Sequence, residues 1–284
     1  MKNLFEKYGG SALVAGAAEG LGEGFSMALA EAGFRLVLVD RNKEALEQLS
    51  ERLTHEFAVQ HRLIHLDLGD PSASSECLEA AREAGCRLIV YVAAWSRVSL
   101  FTGLAPGELD SSLAVNVHTP LHLVHGFTRR LQAEGQFGGI ILVSSLAGLI
   151  GPKYVGAYAA TKSYLLRLAE SLHGELKGSG IDILACCAGT ISTPAYWKSK
   201  PDHSRIVPAV MLPSEVAKHA LKKLGKGPAC IPGRQNRFHY FLLERLLPRS
   251  LARRLVNGAM EKMYGTSFRS HQGQEGLPQT GASV

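Results

Sequence analysis

Short apolar runs alternate with segments of helical period along most of the chain. Residues 11–16 (SALVAG), 35–40 (RLVLVD), 61–66, 87–93 (RLIVYVA), 139–144 (GIILVS) and 181–187 (IDILACC) read as strands. Helical patterns fill the gaps at 20–32, 42–57, 71–84, 106–134 and 156–177. Continuous Val, Ile and Leu runs mark strands covered on both faces, as in a parallel sheet with helices on either side. Right-handed crossovers then predict an α/β, three-layer, doubly wound parallel sheet (the Rossmann fold) in a single domain.

The periodicity fails at 190–212, where Pro194, Pro201 and Pro208 predict a long loop with short helical pieces. A helix at 213–224 and a last short strand at 228–231 follow. Beyond them, 237–265 reads as a basic helical stretch broken at Pro248, and 266–284 as a disordered tail.

Composition narrows the classes. The chain has 284 residues, 46% hydrophobic and 20% charged, too apolar for a disordered protein. No run approaches the roughly 18 apolar residues of a membrane-spanning helix. Residues 1–10 carry Lys2, Glu6 and Lys7 and do not read as a signal peptide. Five cysteines without CxxC spacing fit a reducing compartment, so a cytoplasmic location is expected. The net charge of +6 is matched by one window, 234–270, with eight Lys and Arg against two Glu. The rest is nearly neutral, which excludes a nucleic-acid surface on the main domain and describes a basic C-terminal extension at 234–265.

Two places carry candidate chemistry. After the first strand, Gly16, Gly20, Leu21 and Gly22 lead into a helix. Such a turn lets the backbone approach a pyrophosphate at a helix N-terminus, although a tight strand–helix turn uses the same spacing. Asp40 closes the second strand, where a carboxylate accepts the ribose hydroxyls of adenosine and repels a 2′-phosphate. It would equally serve as a helix cap. Arg41 follows and could pair with that phosphate, so NAD is favoured over NADP. The second place is Tyr158 and Lys162, four apart on one helix face. An ammonium beside a phenol lowers its pKa and equips it for proton transfer near neutrality. Tyr196 and Lys200 share the spacing but lie in the irregular loop.

With these residues in place, the chain resembles the short-chain dehydrogenase/reductase family in its roughly 250-residue form, over about 8–233. The carriers are Gly16, Gly20, Gly22, Asn116, Ser145, Tyr158 and Lys162, with Ser145 thirteen residues before Tyr158 as in the family. The resemblance implies an NAD(P)-dependent oxidoreductase interconverting a secondary alcohol and a ketone, with one domain over 1–233. In it Tyr158 is the general acid/base, and Lys162 lowers its pKa and holds the nicotinamide ribose. Ser145 binds the substrate oxygen, and Asn116 anchors a proton-relay water. Asp67 and Leu68 would contact adenine. Ala93, Gly189, Ile191 and Thr193 would complete the cofactor wall, Thr193 at the carboxamide. It also implies a homodimer or homotetramer and no metal.

Four departures stand out. Ala15 precedes the turn where the family has Thr, and Ala188 replaces a Pro. Tyr91-Val92-Ala93-Ala94 replaces Asn-Asn-Ala-Gly, so Val92 and Ala94 must build the wall differently. That change motivates the alternative of a cofactor-binding regulator or partner with little turnover; a retained cofactor serving epimerisation or dehydration is a third reading. His118, His122 and His125 share a helix face, read as an interface or core face rather than a metal site. The basic stretch 238–264 reads as a packed helix pair; closing over an apolar substrate, extending a dimer and lying on an anionic membrane are its other readings. A small, fairly apolar substrate is expected from Tyr154, Tyr196, Trp197, Val207 and Met211.

Overall fold

The computed structural model of the protein describes residues 2–204, 206 and 208–272. Strands β1 (Ser11–Ala15), β2 (Arg35–Asp40), β3 (His61–His65), β4 (Leu88–Tyr91), β5 (Gly138–Ser145), β6 (Ile181–Ala188) and β7 (Ala229–Cys230) form one sheet in which every pair is parallel. Its order is β3-β2-β1-β4-β5-β6-β7, so the winding reverses between β1 and β4. A ligand crevice belongs at that reversal, beyond the carboxyl ends of the strands.

A short helix, α1 (Lys2–Tyr8), precedes β1 and has no counterpart in the hydrophobic pattern. The crossovers carry α2 (Gly20–Glu31), α3 (Lys43–Phe57) and α4 (Ala73–Glu83), then α5 (Pro106–Leu113) continued by α6 (Thr119–Ala133). After β5 come α7 (Ala147–Ile150) and α8 (Gly156–Glu175); α9 (Pro194–Lys198) lies in the irregular loop and α10 (Pro213–Lys223) ahead of β7. Successive side chains of β1 divide between two cores, as a pleated strand requires. Ala12 and Val14 join Phe25, Leu29, Val216 and Leu221, while Leu13 and Ala15 join Cys77, Phe127, Leu165 and Ala169. Burial of each such Leu or Phe stabilises the domain by about 1.5–3 kcal/mol. All five cysteines are free and buried.

The helix expected over 106–134 contains a wide turn, the π-helical segment Ala114–His118. Pro120, at the start of α6, has no N–H to return to the preceding turn. The Val115 carbonyl instead accepts the Tyr91 hydroxyl at 2.6 Å. The Tyr that stands in place of the family's asparagine therefore supplies the donor that Pro120 lacks, and it ties β4 to this turn.

The basic extension forms α11 (Arg234–Phe241), a π-helical segment (Leu242–Leu246) and α12 (Arg249–Gln272). Pro248 separates the two, as the sequence suggests. Helix continues over 266–272, where a disordered tail was expected; 273–284 lie outside the described residues. Among the described residues no helix is long and apolar enough to cross a membrane.

Candidate active site

A cavity of about 780 Å³ opens above the β1/β4 reversal. Gly16, Gly20, Leu21, Asp40, Arg41, Asp67, Leu68, Ala93, Gly189, Ile191 and Thr193 all line it, together with Ser145, Tyr158 and Lys162. Gly22 and Asn116 stand behind the lining.

The nucleotide half is shaped by what side chains would obstruct. Gly16 has φ +82, and a Cβ there would come within 2.6 Å of the Ala93 backbone nitrogen. A Cβ on Gly22 would overlap the Gly16 carbonyl oxygen. Glycine at 22 lets the first turn of α2 press on the end of β1, and glycine at 16 lets that turn pass the backbone after β4. Val92 and Ala93 both donate to the Ala15 carbonyl, at 2.8 and 3.0 Å, which fixes the wall built by the unusual β4 end. A turn free of side chains at a helix N-terminus fits a pyrophosphate.

Asp40 is shared between structure and cavity. Its Oδ2 accepts from Ala18 N and its Oδ1 from Asn42 N, both at 3.0 Å. Capping of α3 falls to Asn42, which accepts from Ala45 N. Each Asp40 oxygen keeps a further lone pair for a ribose hydroxyl. Arg41 is largely exposed, with its guanidinium 3.9 Å from Asp67.

The candidate reacting groups meet where β5 ends and α8 begins. Ser145 is the last residue of β5; its hydroxyl accepts from Ala147 N at 3.1 Å, and it lines the cavity together with Tyr158. Burial pushes the Tyr158 phenol above its ordinary value, and the Ser145 hydroxyl pulls it part of the way back. Lys162, one helical turn on and 1% exposed, donates to the Val143 carbonyl at 2.7 Å. Its Nζ lies 5.6 Å from the centre of the Tyr158 ring. Burial lowers the ammonium to about 7, only partly offset by Cys186. Burial and Ser145 set the shift of the Tyr158 phenol, while the Lys162 ammonium is itself drawn down by burial.

Asn116 sits in the π-helical turn and is fully buried. Its Oδ1 accepts from Trp95 N at 2.8 Å, and its Nδ2 donates to Trp95 O at 2.9 Å and Thr161 Oγ1 at 3.0 Å. It joins the loop after β4 to the face of α8 beside Lys162. The decoy pair is apart in kind: α9 ends at Lys198, and the Tyr196 hydroxyl engages His203 Nε2 at 2.7 Å.

Sequence reading missed much of the substrate half. Trp95, Leu149, Ile150 and Val155 line it from the main domain, and Leu243, Val256, Met260 and Met263 from the C-terminal helices. The recurrence of apolar residues at 256, 260 and 263 is the signal that these helices cover something. Of the five apolar residues named from sequence, Tyr196 lines the cavity. Trp197 is half exposed and donates to Ser192, Met211 bridges to Ile191, Tyr154 reaches α12, and Val207 lies outside the described residues. His118, His122 and His125 are exposed on the outer helix face. Among the described residues no group of three metal-binding side chains is found.

Comparison with known proteins matches this architecture. The family model for short chain dehydrogenase covers residues 11–204. The chain is 31% identical over 235 residues to a 7beta-hydroxysteroid dehydrogenase of Clostridium sardiniense, spanning 83% of this chain and 90% of that protein. A solved structure described for 7beta-hydroxysteroid dehydrogenase stereoselectivity superposes with a TM-score of 0.81 at 28% identity, covering 89% of this chain and 98% of that one. A short-chain dehydrogenase from Sphingobium yanoikuyae in complex with NADPH shares the fold, with a TM-score of 0.72 at 22% identity over 96% and 98% of the chains. The protein is thus a member of the short-chain dehydrogenase family, a nicotinamide-dependent oxidoreductase that interconverts alcohols and ketones.

Proposed function

We propose that the substrate is a bulky, apolar secondary alcohol or its ketone, of hydroxysteroid size, and that Tyr158 is the acid/base of the reaction. The observation that carries this is a single cavity holding both the glycine-walled nucleotide cradle and the Ser145–Tyr158–Lys162 set, closed on its far side by Leu243, Val256, Met260 and Met263. The hydroxysteroid dehydrogenases it resembles support the substrate class.

In the direction of oxidation, the Tyr158 oxygen takes the hydroxyl proton while the Ser145 hydroxyl orients the substrate oxygen. In reduction the same phenol returns the proton to the carbonyl oxygen. The dinucleotide, when bound, supplies or accepts the hydride. Lys162, with its Nζ 5.6 Å from the centre of the Tyr158 ring, would hold the nicotinamide ribose beside the phenol. Asn116 holds the Trp95 loop and the face of α8 in register, and Thr193 and Ile191 border the nicotinamide end. A buried, mostly apolar chamber strengthens these electrostatic effects.

NAD is the cofactor that Asp40 favours, because a carboxylate at the ribose edge repels a 2′-phosphate, and Glu19 adds a second negative group on the same wall. Arg41 supports NADP as the second reading, since its exposed guanidinium is free to swing toward a phosphate. Fluorescence titration with NADH and NADPH, followed by turnover of a panel of steroid and smaller alcohols, tests both parts. Tighter binding of NADPH would refute the first, and turnover confined to small polar alcohols the second.

A further inference from the structure

The turn that leads into the helix bearing Tyr158 is clasped from two sides. Tyr154 has φ +68, in the left-handed region that bulky residues avoid. Its carbonyl accepts from Ser99 N at 2.8 Å, in the loop after β4. Its hydroxyl donates to Glu261 on α12. The neighbouring Lys153 repeats the pattern, with Nζ 3.3 Å from the same Glu261 oxygen and its backbone N–H donating to Asn257 Oδ1 at 3.0 Å. Asn257 and Glu261 are one turn apart, so a single face of α12 makes its side of the grip.

This grip matters because α8 does not secure its own start. Val155 stands at the N-cap with no side-chain hydrogen bond, and Tyr158 falls in the first turn. An uncapped helix end takes its position from whatever else holds it. The side of α12 next to Glu261 carries Met260 and Met263, which line the substrate half of the cavity. One carboxylate therefore stands between the proton-transferring helix and the wall that meets the substrate.

We propose that Glu261 is a positioning residue of the reaction. Acting through Tyr154, it sets the first turn of α8 and holds α12 against a bulky substrate. The proposal rests on the bulky-substrate reading above.

The experiment compares Glu261→Ala, Glu261→Gln, Tyr154→Phe and the double variant Tyr154→Phe/Glu261→Ala with the native full chain. It measures kcat and KM for a steroid alcohol and a small secondary alcohol, the cofactor Kd by fluorescence, and Tm. Glu261→Ala is expected to raise KM for the steroid about tenfold and lower kcat several-fold, with the cofactor Kd unchanged within about twofold. Glu261→Gln, whose amide oxygen still accepts from Tyr154, recovers most of kcat. Tyr154→Phe reproduces the alanine variant, and the double variant adds nothing, as for two halves of one contact. Additive losses, parallel loss of cofactor affinity and Tm, or kinetics unchanged throughout would each overturn the proposal. Native enzyme that turns over only the small alcohol refutes the bulky-substrate reading instead, and the ratio of variant to native kcat still judges the clasp.

Discussion

Ser145, the last residue of β5, and Tyr158, in the first turn of α8, meet in one cavity, where the serine hydroxyl draws the phenol down against the effect of burial. Tyr158→Phe removes the transferable proton and leaves the ring, so kcat is expected to fall at least about 10³-fold with the cofactor Kd nearly unchanged. Ser145→Ala should cost about 10²-fold, since it orients rather than transfers. Steady-state rates and fluorescence titration on the same preparations check both.

Lys162 should trade stability against activity. Its buried ammonium titrates near 7 in the folded protein against an ordinary 10.5, so between these values the unfolded chain holds more protons. This group therefore makes stability rise as pH climbs from about 7 to about 10, with its full cost present below 7. Lys162→Met removes that cost, although the Val143 carbonyl loses its donor. The variant is expected to melt higher at pH 7, to lose the lysine's part of the pH slope, and to be at least about 10²-fold less active. Melting curves from pH 6 to 10 provide the check.

For Tyr158 the sign is the opposite of an early-titrating phenol. Burial keeps the phenol protonated through neutrality, so ketone reduction is expected to be flat across pH 6–8 and alcohol oxidation to climb toward alkaline pH. Initial rates in both directions would show it. An oxidation rate that levels off below pH 7 would contradict it.

Much of this was legible from the chain because parallel strands buried on both faces carry continuous apolar runs. Residues 11–16, 35–40 and 139–144 fall where β1, β2 and β5 stand. Ser145, Tyr158 and Lys162, which the resemblance to the family picked out, line one cavity. The π-helical turn at Asn116 was not legible, because it arises from a Pro120 that lacks a donor and a Tyr91 that replaces it, a tertiary contact with no local pattern. The cavity wall from α12 was legible only in part, as one of four readings of the basic stretch. Its apolar positions are spaced like those of any surface helix, and only the fold shows what they cover.

Asn116→Ala should act through structure first. It leaves the Trp95 N–H and carbonyl without their partner in a buried place, at a cost of about 2–3 kcal/mol. Denaturant unfolding is expected to show that loss, together with reduced turnover from a loosened Trp95 loop. A variant as stable as the native protein would show that the loop finds other partners.

Cofactor choice separates at two neighbouring residues. Arg41→Ala is expected to leave the NADH Kd within about twofold, because the proposal gives the ribose contact to Asp40, and to weaken NADPH about tenfold. Gly22→Ala should abolish binding of both, since its Cβ overlaps the Gly16 carbonyl. Titration of each variant with each nucleotide decides between the readings.

The most direct test is label transfer from a secondary alcohol deuterated at its carbinol carbon. Incubated with native enzyme and oxidised cofactor, the deuterium should appear in the reduced nicotinamide, none of it in solvent, and Tyr158→Phe should slow the transfer by orders of magnitude. Deuterium lost to water, or cofactor bound without transfer from any alcohol in a broad panel, would contradict the account.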